Sequence, residues 1–376
     1  MIKYVLRFIP LVLSTIVTFF SVFPSSLELL ETDISKQLDR INALEESYKN
    51  GEIAPVDETV FFNGNLEEEL SNGLKFNELR YMATHNSYQT DSSEAMKKVF
   101  RNLSELTFGL VGSGTVDFVS PTITEQFCNG TYSLELDVET FDRNGEISFT
   151  CMHSPYFEMG TSCYDFELAL KEISMWSDNN SNHLPITIII EFKEGFLPIK
   201  DMKFPKLRYL KVFDEVLRKG LGEKLFTPAD MLGDYENFAQ LRTADGWCKV
   251  EDMLGKVLVL MHDNNLTDDY ISEDDSLRTQ SMFPMMRFAD KDDKNASFII
   301  MNNPKREKDG CKEALECNFI IRTRADKFGQ ITEERRRLAF ESGAQIISTD
   351  YPVKYGLGDD DYYVSFGGTK TISPTK

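Results

Sequence analysis

The residues that could do chemistry sit at the polar ends of apolar runs. In "SLELDVE" (133–139), Leu134, Leu136 and Val138 alternate with Glu135, Asp137 and Glu139. Successive side chains of a strand point to opposite faces, so the three acids share one face. A second run, "ITIIIEFK" (186–193), ends with Glu191 and Lys193 on a common face. Carboxylates gathered inside a fold repel one another and lose hydration, and a hard cation relieves both costs. Oxygen donors suit Ca²⁺ or Mg²⁺. A solvated edge strand is the plain alternative for 133–139, and a strand-end salt bridge for Glu191 and Lys193. The return of the same pattern favours the metal.

The chain has only four histidines, and His85 and His153 each follow an apolar run. Two imidazoles beside inward carboxylates suit cleavage of a phosphodiester by internal attack. One takes the proton of the attacking hydroxyl and the other protonates the leaving oxygen. His183, before Leu184-Pro185, reads as a loop or helix-end residue, and His262, on a strand beside Asp263, fits either a structural or a site role.

These side chains need a frame that brings strand ends together. Eight candidate strands recur, at 79–88, 132–139, 147–154, 186–193, 256–263, 296–303, 318–326 and 344–352. Helical spacing lies between several of them, as in 164–180 and 331–343. Eight strands interleaved with helices fit a (β/α)8 TIM-like barrel, regular or distorted, whose chemistry gathers at the C-terminal strand ends. An open doubly wound sheet is the alternative, but it carries a Gly-rich phosphate turn after its first strand. "THNSYQTDSS" has no glycine there. An Asn-Gly turn at 144–145 predicts a tight link between the second and third candidates. The acidic stretch from Thr267 to Lys294 reads as one long charged connection.

Outside the barrel, Phe8 to Leu27 holds no charge, with Lys3 and Arg7 before it and Glu28, Glu31 and Asp33 after it. That reads as a signal peptide or signal anchor over 1–27, placing the rest in the secretory pathway, secreted or membrane-anchored outside the cytosol. Residues 28–75 read as an acidic helical stalk or linker, or as an N-terminal helix packed on the domain. The barrel spans 76–353, and 354–376 form a C-terminal tail. Five Asn-x-Ser/Thr triplets (Asn102, Asn129, Asn179, Asn265, Asn295) and six cysteines agree with that compartment. Cys311 with Cys317, and Cys151 with Cys163, are the candidate disulfides. The balance of 41 basic against 61 acidic residues, a net charge of −20, repels nucleic acid and anionic headgroups at long range.

Several segments together resemble the calcium-dependent phosphatidylinositol-specific phospholipase C family, within the phosphodiesterase barrel superfamily. "THNSY" is similar to that family's first strand end, and "TEQFCNGTYSLELDV" to its helix leading into an acidic strand. The run from Met152 to Lys193, "RTRAD" and "SGAQIISTDYP" follow in the same order. The resemblance implies a phosphoinositide substrate at a membrane surface and Ca²⁺ as cofactor. It makes His85 the general base on the inositol 2-hydroxyl and His153 the general acid on the diacylglycerol oxygen. It assigns Asn86, Glu135, Asp137 and Glu191 to the metal. Lys193, Arg322 and Arg324 would contact phosphate or inositol. Both His85 and Asn86 can reach one site only if the strand ends or turns there. Cys128, Cys151 and the 267–294 stretch depart from the family's pattern. A glycerophosphodiester phosphodiesterase-like hydrolase is a rival, but it usually opens with a histidine-arginine pair where this chain has His85-Asn86. A non-catalytic binding protein on the same barrel would have lost a histidine or metal ligand, and none is lost.

Overall fold

The computed structural model describes residues 12–15, 17–18, 33–91, 94–106, 119–153, 160–193, 200–327, 332–352 and 362–375. Fourteen of the twenty residues of the hydrophobic segment expected at 8–27 lie outside them. Among the described residues no helix is long and apolar enough to cross a membrane.

Eight parallel strands build a closed barrel: β1 (Leu79–Thr84), β2 (Ser133–Arg143), β3 (Ile186–Phe192), β4 (Val257–Met261), β5 (Met282–Arg287), β6 (Phe298–Ile300), β7 (Ile320–Arg324) and β8 (Ile346–Thr349). Each pairs with the next, and β8 returns to β1 through Tyr81↔Ile346 to Thr84↔Thr349. The ring closes between β1 and β2 on a single register pair, Ala83↔Ser133. Strands β3 and β4 are runs of Ile, Val and Leu because both their faces are buried.

Seven of the eight candidate strands are in the barrel. The exception, 147–154, contributes Glu146–Cys151, which folds back antiparallel on β2. Asn144 and Gly145 take φ of 58° and 96°, so a two-residue turn forces a hairpin rather than a crossover. The missing barrel strand, β5, lies inside the stretch read as a long acidic connection. "MFPMMR" has no β-branched residue and carries Pro284, so its strand signal is weak.

The helix over 33–49 lies against the barrel. The Gln37 side chain and the Asp165 backbone exchange two hydrogen bonds of 2.7 and 2.9 Å. Arg40 pairs with the fully buried Glu172 at 2.9 Å and donates to Ser162 O at 2.6 Å. At the other end, where a tail was expected, Ile372–Pro374 adds an antiparallel strand to β1. Ile372 and Val364 are buried there, so apolar residues rather than charge decide the packing.

All six cysteines are free thiols, which corrects both candidate bridges. Cys311 points inward from helix Lys308–Glu316, with Sγ 3.6 Å from Met301 Sδ, while Cys317 caps the helix and is exposed. Residues six apart face different sides of a helix. Cys151 and Cys163 are both buried and are not joined to each other. The Asn295 triplet is also buried, its amide donating to Asp275 O at 3.1 Å.

Arg40→Ala would leave the Glu172 charge buried without its cation. We expect a loss of about 2–3 kcal/mol, read from the urea midpoint. A change under about 0.5 kcal/mol would place the helix 33–49 outside the cooperative fold.

Candidate active site

The polar strand ends meet at one mouth of the barrel. On β2, Leu134, Leu136 and Val138 are buried beneath the helices, which turns Glu135, Asp137 and Glu139 toward the lumen. The parallel register sets Asp137 beside Glu191 of β3. Glu135, Asp137 and Glu191 bring one carboxylate oxygen each within 4.8 Å of one another.

The chain turns directly after β1, so neighbouring His85 and Asn86 are released from the strand's alternation between opposite faces. The strand ends at Thr84, and Asn86 adopts φ of 46°, in the left-handed region. A net of short bonds holds that turn. Thr84 Oγ1 and Ser87 Oγ are 2.6 Å apart, Thr84 Oγ1 donates to Gln126 Oε1 at 2.6 Å, and Gln126 Nε2 donates to Ser87 O at 2.7 Å. Ser87 also seals the weak β1–β2 seam: its N donates to Glu135 O at 2.9 Å and its Oγ accepts from Glu135 N at 2.8 Å. Asn86 is buried and its Oδ1 has no hydrogen-bond partner.

His85 is fixed on both ring nitrogens. Nδ1 is 2.8 Å from Asp350 Oδ1, and Nε2 is 3.2 Å from Arg324 Nη1. A guanidinium only donates, so Nε2 accepts and Nδ1 carries the proton that goes to Asp350. Nε2 also lies 3.9 Å from Glu135 Oε1. Arg324 spans the carboxylate of Asp350 at 3.2 and 3.3 Å. Asp326 lies behind them and accepts from Asp350 N at 3.0 Å and from Thr349 Oγ1. Burial and the charge of Asp350 push the Asp326 carboxyl up to about 7. Neither Asp350 nor Asp326 was assigned a role from the sequence. The only signal was an aspartate just after an apolar strand, which is common.

His153 lies on the opposite flank, half exposed, with Nε2 4.0 Å from Asp137 Oδ2. It comes from the end of the hairpin strand rather than from a barrel strand. Lys193 places Nζ 3.0 Å from both Asp137 Oδ2 and Glu191 Oε1. Arg322 is fully buried below the mouth, bonded to Glu135, to Asn302 Oδ1 and, at 3.2 Å, to Ser348 Oγ. It faces Glu135 rather than the open mouth. His262 sits at the end of β4 with Nδ1 3.1 Å from Asp263 O. His183 is a buried structural residue that bonds Ser177 Oγ and Leu184 O.

The electrostatics are those of a cation site. Burial alone would raise Glu135, but Arg322, His85 and His262 outweigh it and hold the carboxyl below its ordinary value. Burial and the neighbouring Glu191 push Asp137 up, against the pull of Lys193. At Glu191, Lys193 and His262 overcome burial and hold the carboxyl down. Glu139 is fully buried and neither of its oxygens has a hydrogen-bond partner; burial raises it to about 8. Both Asp137 oxygens lack an aligned hydrogen bond despite the Lys193 ion pair. The three clustered carboxylates present an all-oxygen donor set that fits Ca²⁺.

The profile of the family described as "Phosphoinositide phospholipase C, Ca2+-dependent" matches residues 146–374, more than half of the chain. His153, Glu191, Lys193, Arg322 and Arg324 fall within that match, and His85, Asn86, Glu135 and Asp137 precede it. Among solved structures, the calcium-dependent phosphoinositol-specific phospholipase C of a Pseudomonas species is similar with a TM-score of 0.56 at 18% identity. That likeness covers 85% of this chain and 99% of the other. The calcium-dependent phosphatidylinositol-specific phospholipase C of Streptomyces antibioticus gives a TM-score of 0.55 at 16% identity, covering 80% and 99%. At these identities the structures attest the barrel. No curated protein sequence matches.

The tautomer of His85 is open to direct test. ¹⁵N spectra of the wild type should show the Nδ1–H form, and Asp350→Asn should shift the ring toward a mixture with Nε2–H. An unchanged ratio would contradict Asp350 as the orienting group.

Proposed function

This chain belongs to the calcium-dependent phosphoinositide phospholipase C family and is a phosphoric diester hydrolase, and we propose that it cleaves phosphatidylinositol-type lipids through attack of the inositol 2-hydroxyl on phosphorus. The observation that carries this reading is the pair of imidazoles flanking one carboxylate cluster. His85 lies 3.9 Å from Glu135 and His153 lies 4.0 Å from Asp137. That is the layout an internal displacement needs, with a base on one flank and an acid on the other.

His85 Nε2 takes the proton of the 2-hydroxyl as the new P–O bond forms. Asp350 keeps Nδ1 protonated and steadies the imidazolium that results. Arg324, which donates to Nε2, turns to a phosphoryl oxygen as the lipid enters and so frees the lone pair. His153 delivers a proton to the glycerol oxygen as the old P–O bond breaks. The products are a cyclic inositol phosphate and diacylglycerol. Asn86, Glu135, Asp137 and Glu191 would hold calcium, which supplies positive charge for the phosphoryl oxygens and lowers the pKa of the attacking hydroxyl. Lys193 is placed to meet a phosphoryl oxygen from the Glu191 side. Arg322 keeps Glu135 ionised and oriented. The lipid is met at a membrane surface outside the cytosol, a reading supported by the charge flanks of the N-terminal segment.

Lipid hydrolysis with and without EGTA tests this account. We expect turnover that needs calcium, and a loss of about 10³-fold in His85→Ala. His153→Ala should lose far less on a substrate with a nitrophenol leaving group, which needs no proton. Equal turnover in EGTA, or an unimpaired His85→Ala, would sink the assignment.

A further inference from the structure

The helix over 33–49 meets the barrel through a row of directed polar contacts. Asp33, Gln37 and Arg40 follow one another at spacings of four and three, so they stand on successive turns of one face. Asp33 Oδ2 accepts from Thr161 N at 3.2 Å, and the Gln37 amide bonds both the N and the O of Asp165. Arg40 Nη2 reaches Ser162 O at 2.6 Å and Glu172 Oε2 at 2.9 Å. Asp33, Gln37 and Glu172 are buried. Apolar packing alone would hold such a helix, whereas a satisfied polar network also dictates where its partners lie.

Two routes lead from Arg40 to the turn at 84–89. The first runs through 160–162, which lies antiparallel beside 88–90. Thr161 pairs with Gln89, Ser162 N donates to Tyr88 O at 2.8 Å, and Thr90 N donates to Gly160 O at 3.2 Å. The two segments touch closely, since a Cβ on Gly160 would stand 2.5 Å from Thr90 Oγ1. The second route runs through Glu172, whose other oxygen, Oε1, accepts from Thr124 N at 3.0 Å at the start of the helix Ile123–Cys128. That helix carries Gln126, which holds Thr84 Oγ1 and Ser87 O. Both routes end on a turn that carries His85, and Ser87 of that turn clasps the backbone N and O of Glu135.

We propose that Arg40 is a positioning residue for the site, and that the helix over 33–49 is a strap that fixes the turn at 84–89 and, through it, the Glu135 carboxylate and the His85 ring. The inference rests on the calcium reading of the carboxylate cluster above. A guanidinium suits the task because its planar fork meets the Glu172 carboxylate and the Ser162 carbonyl at once, which ties the two routes together. The groups that hold a metal ligand in place set its affinity nearly as much as the ligand itself. The strap precedes the stretch matched by the family profile, which begins at residue 146.

The test uses the double variant Arg40→Met, Glu172→Gln, which removes both charges together and leaves neither alone in the interior. Two quantities are read: the calcium isotherm, and hydrogen exchange of backbone amides without calcium. We expect calcium to bind about tenfold more weakly than to the wild type. Exchange should quicken at Ser87, Gln89 and Ser162 while the amides of β3 and β4 keep their wild-type rates. A dissociation constant within about twofold of wild type overturns the proposal. So does exchange that quickens evenly through the barrel, which is what a purely stabilising contact would give. Arg40→Lys, which keeps a charge against Glu172, covers the case of a double variant that does not fold. One ammonium does not reproduce the fork, so calcium should again bind more weakly, by about threefold, and a wild-type constant there also overturns the proposal. A wild type that binds no calcium sinks the calcium reading instead, and the exchange pattern by itself then decides the strap.

Discussion

Three carboxylates on the inner face of two adjacent strands set the terms for the rest of this barrel. Two unit charges about 4 Å apart repel by about 4 kcal/mol at an effective dielectric of about 20. The parallel register that sets Asp137 beside Glu191 makes such repulsion unavoidable. Everything around the cluster answers it. Arg322 is buried whole against Glu135, Lys193 spans Asp137 and Glu191, and His85, His153 and His262 stand at the edges. Those cations do not satisfy Asp137, Glu139 or Asn86, whose oxygens keep no aligned hydrogen bond. A divalent cation is the natural complement of what they leave.

That local demand accounts for features that look unrelated. The left-handed turn at Asn86 costs some backbone strain, and the Thr84–Ser87–Gln126 net holds it against the pull back to an extended strand. The same net closes the barrel where β1 and β2 share only one register pair. Asp326, Asp350 and Arg324 form a third layer that fixes one ring tautomer of His85. Structure and reactivity therefore use the same residues at this mouth.

Most of the barrel could be read from the sequence because buried parallel strands leave continuous runs of Val, Ile and Leu, as at 186–190 and 257–261. The strand at 282–287 escaped notice because methionine and proline replaced that signal. The hairpin at 146–151 looked like a barrel strand because hydrophobicity alone does not reveal direction. The acids of "SLELDVE" were legible because period-two alternation fixes their face. Asp350 and Asp326 were not, since their partners are 265 and 24 residues away in sequence. The fate of Arg322 was also hidden: its type fits phosphate binding, and only the fold shows that its guanidinium turns to Glu135.

The central claim is that Glu135, Asp137, Glu191 and Asn86 form one calcium site. Isothermal titration of calcium into the wild type and into Asp137→Asn at neutral pH tests it without recourse to a lipid. The account requires one ion per chain in the wild type and an affinity at least tenfold weaker in the isosteric variant, with the fold retained. An unchanged calcium isotherm in Asp137→Asn, or no binding to the wild type, would contradict it.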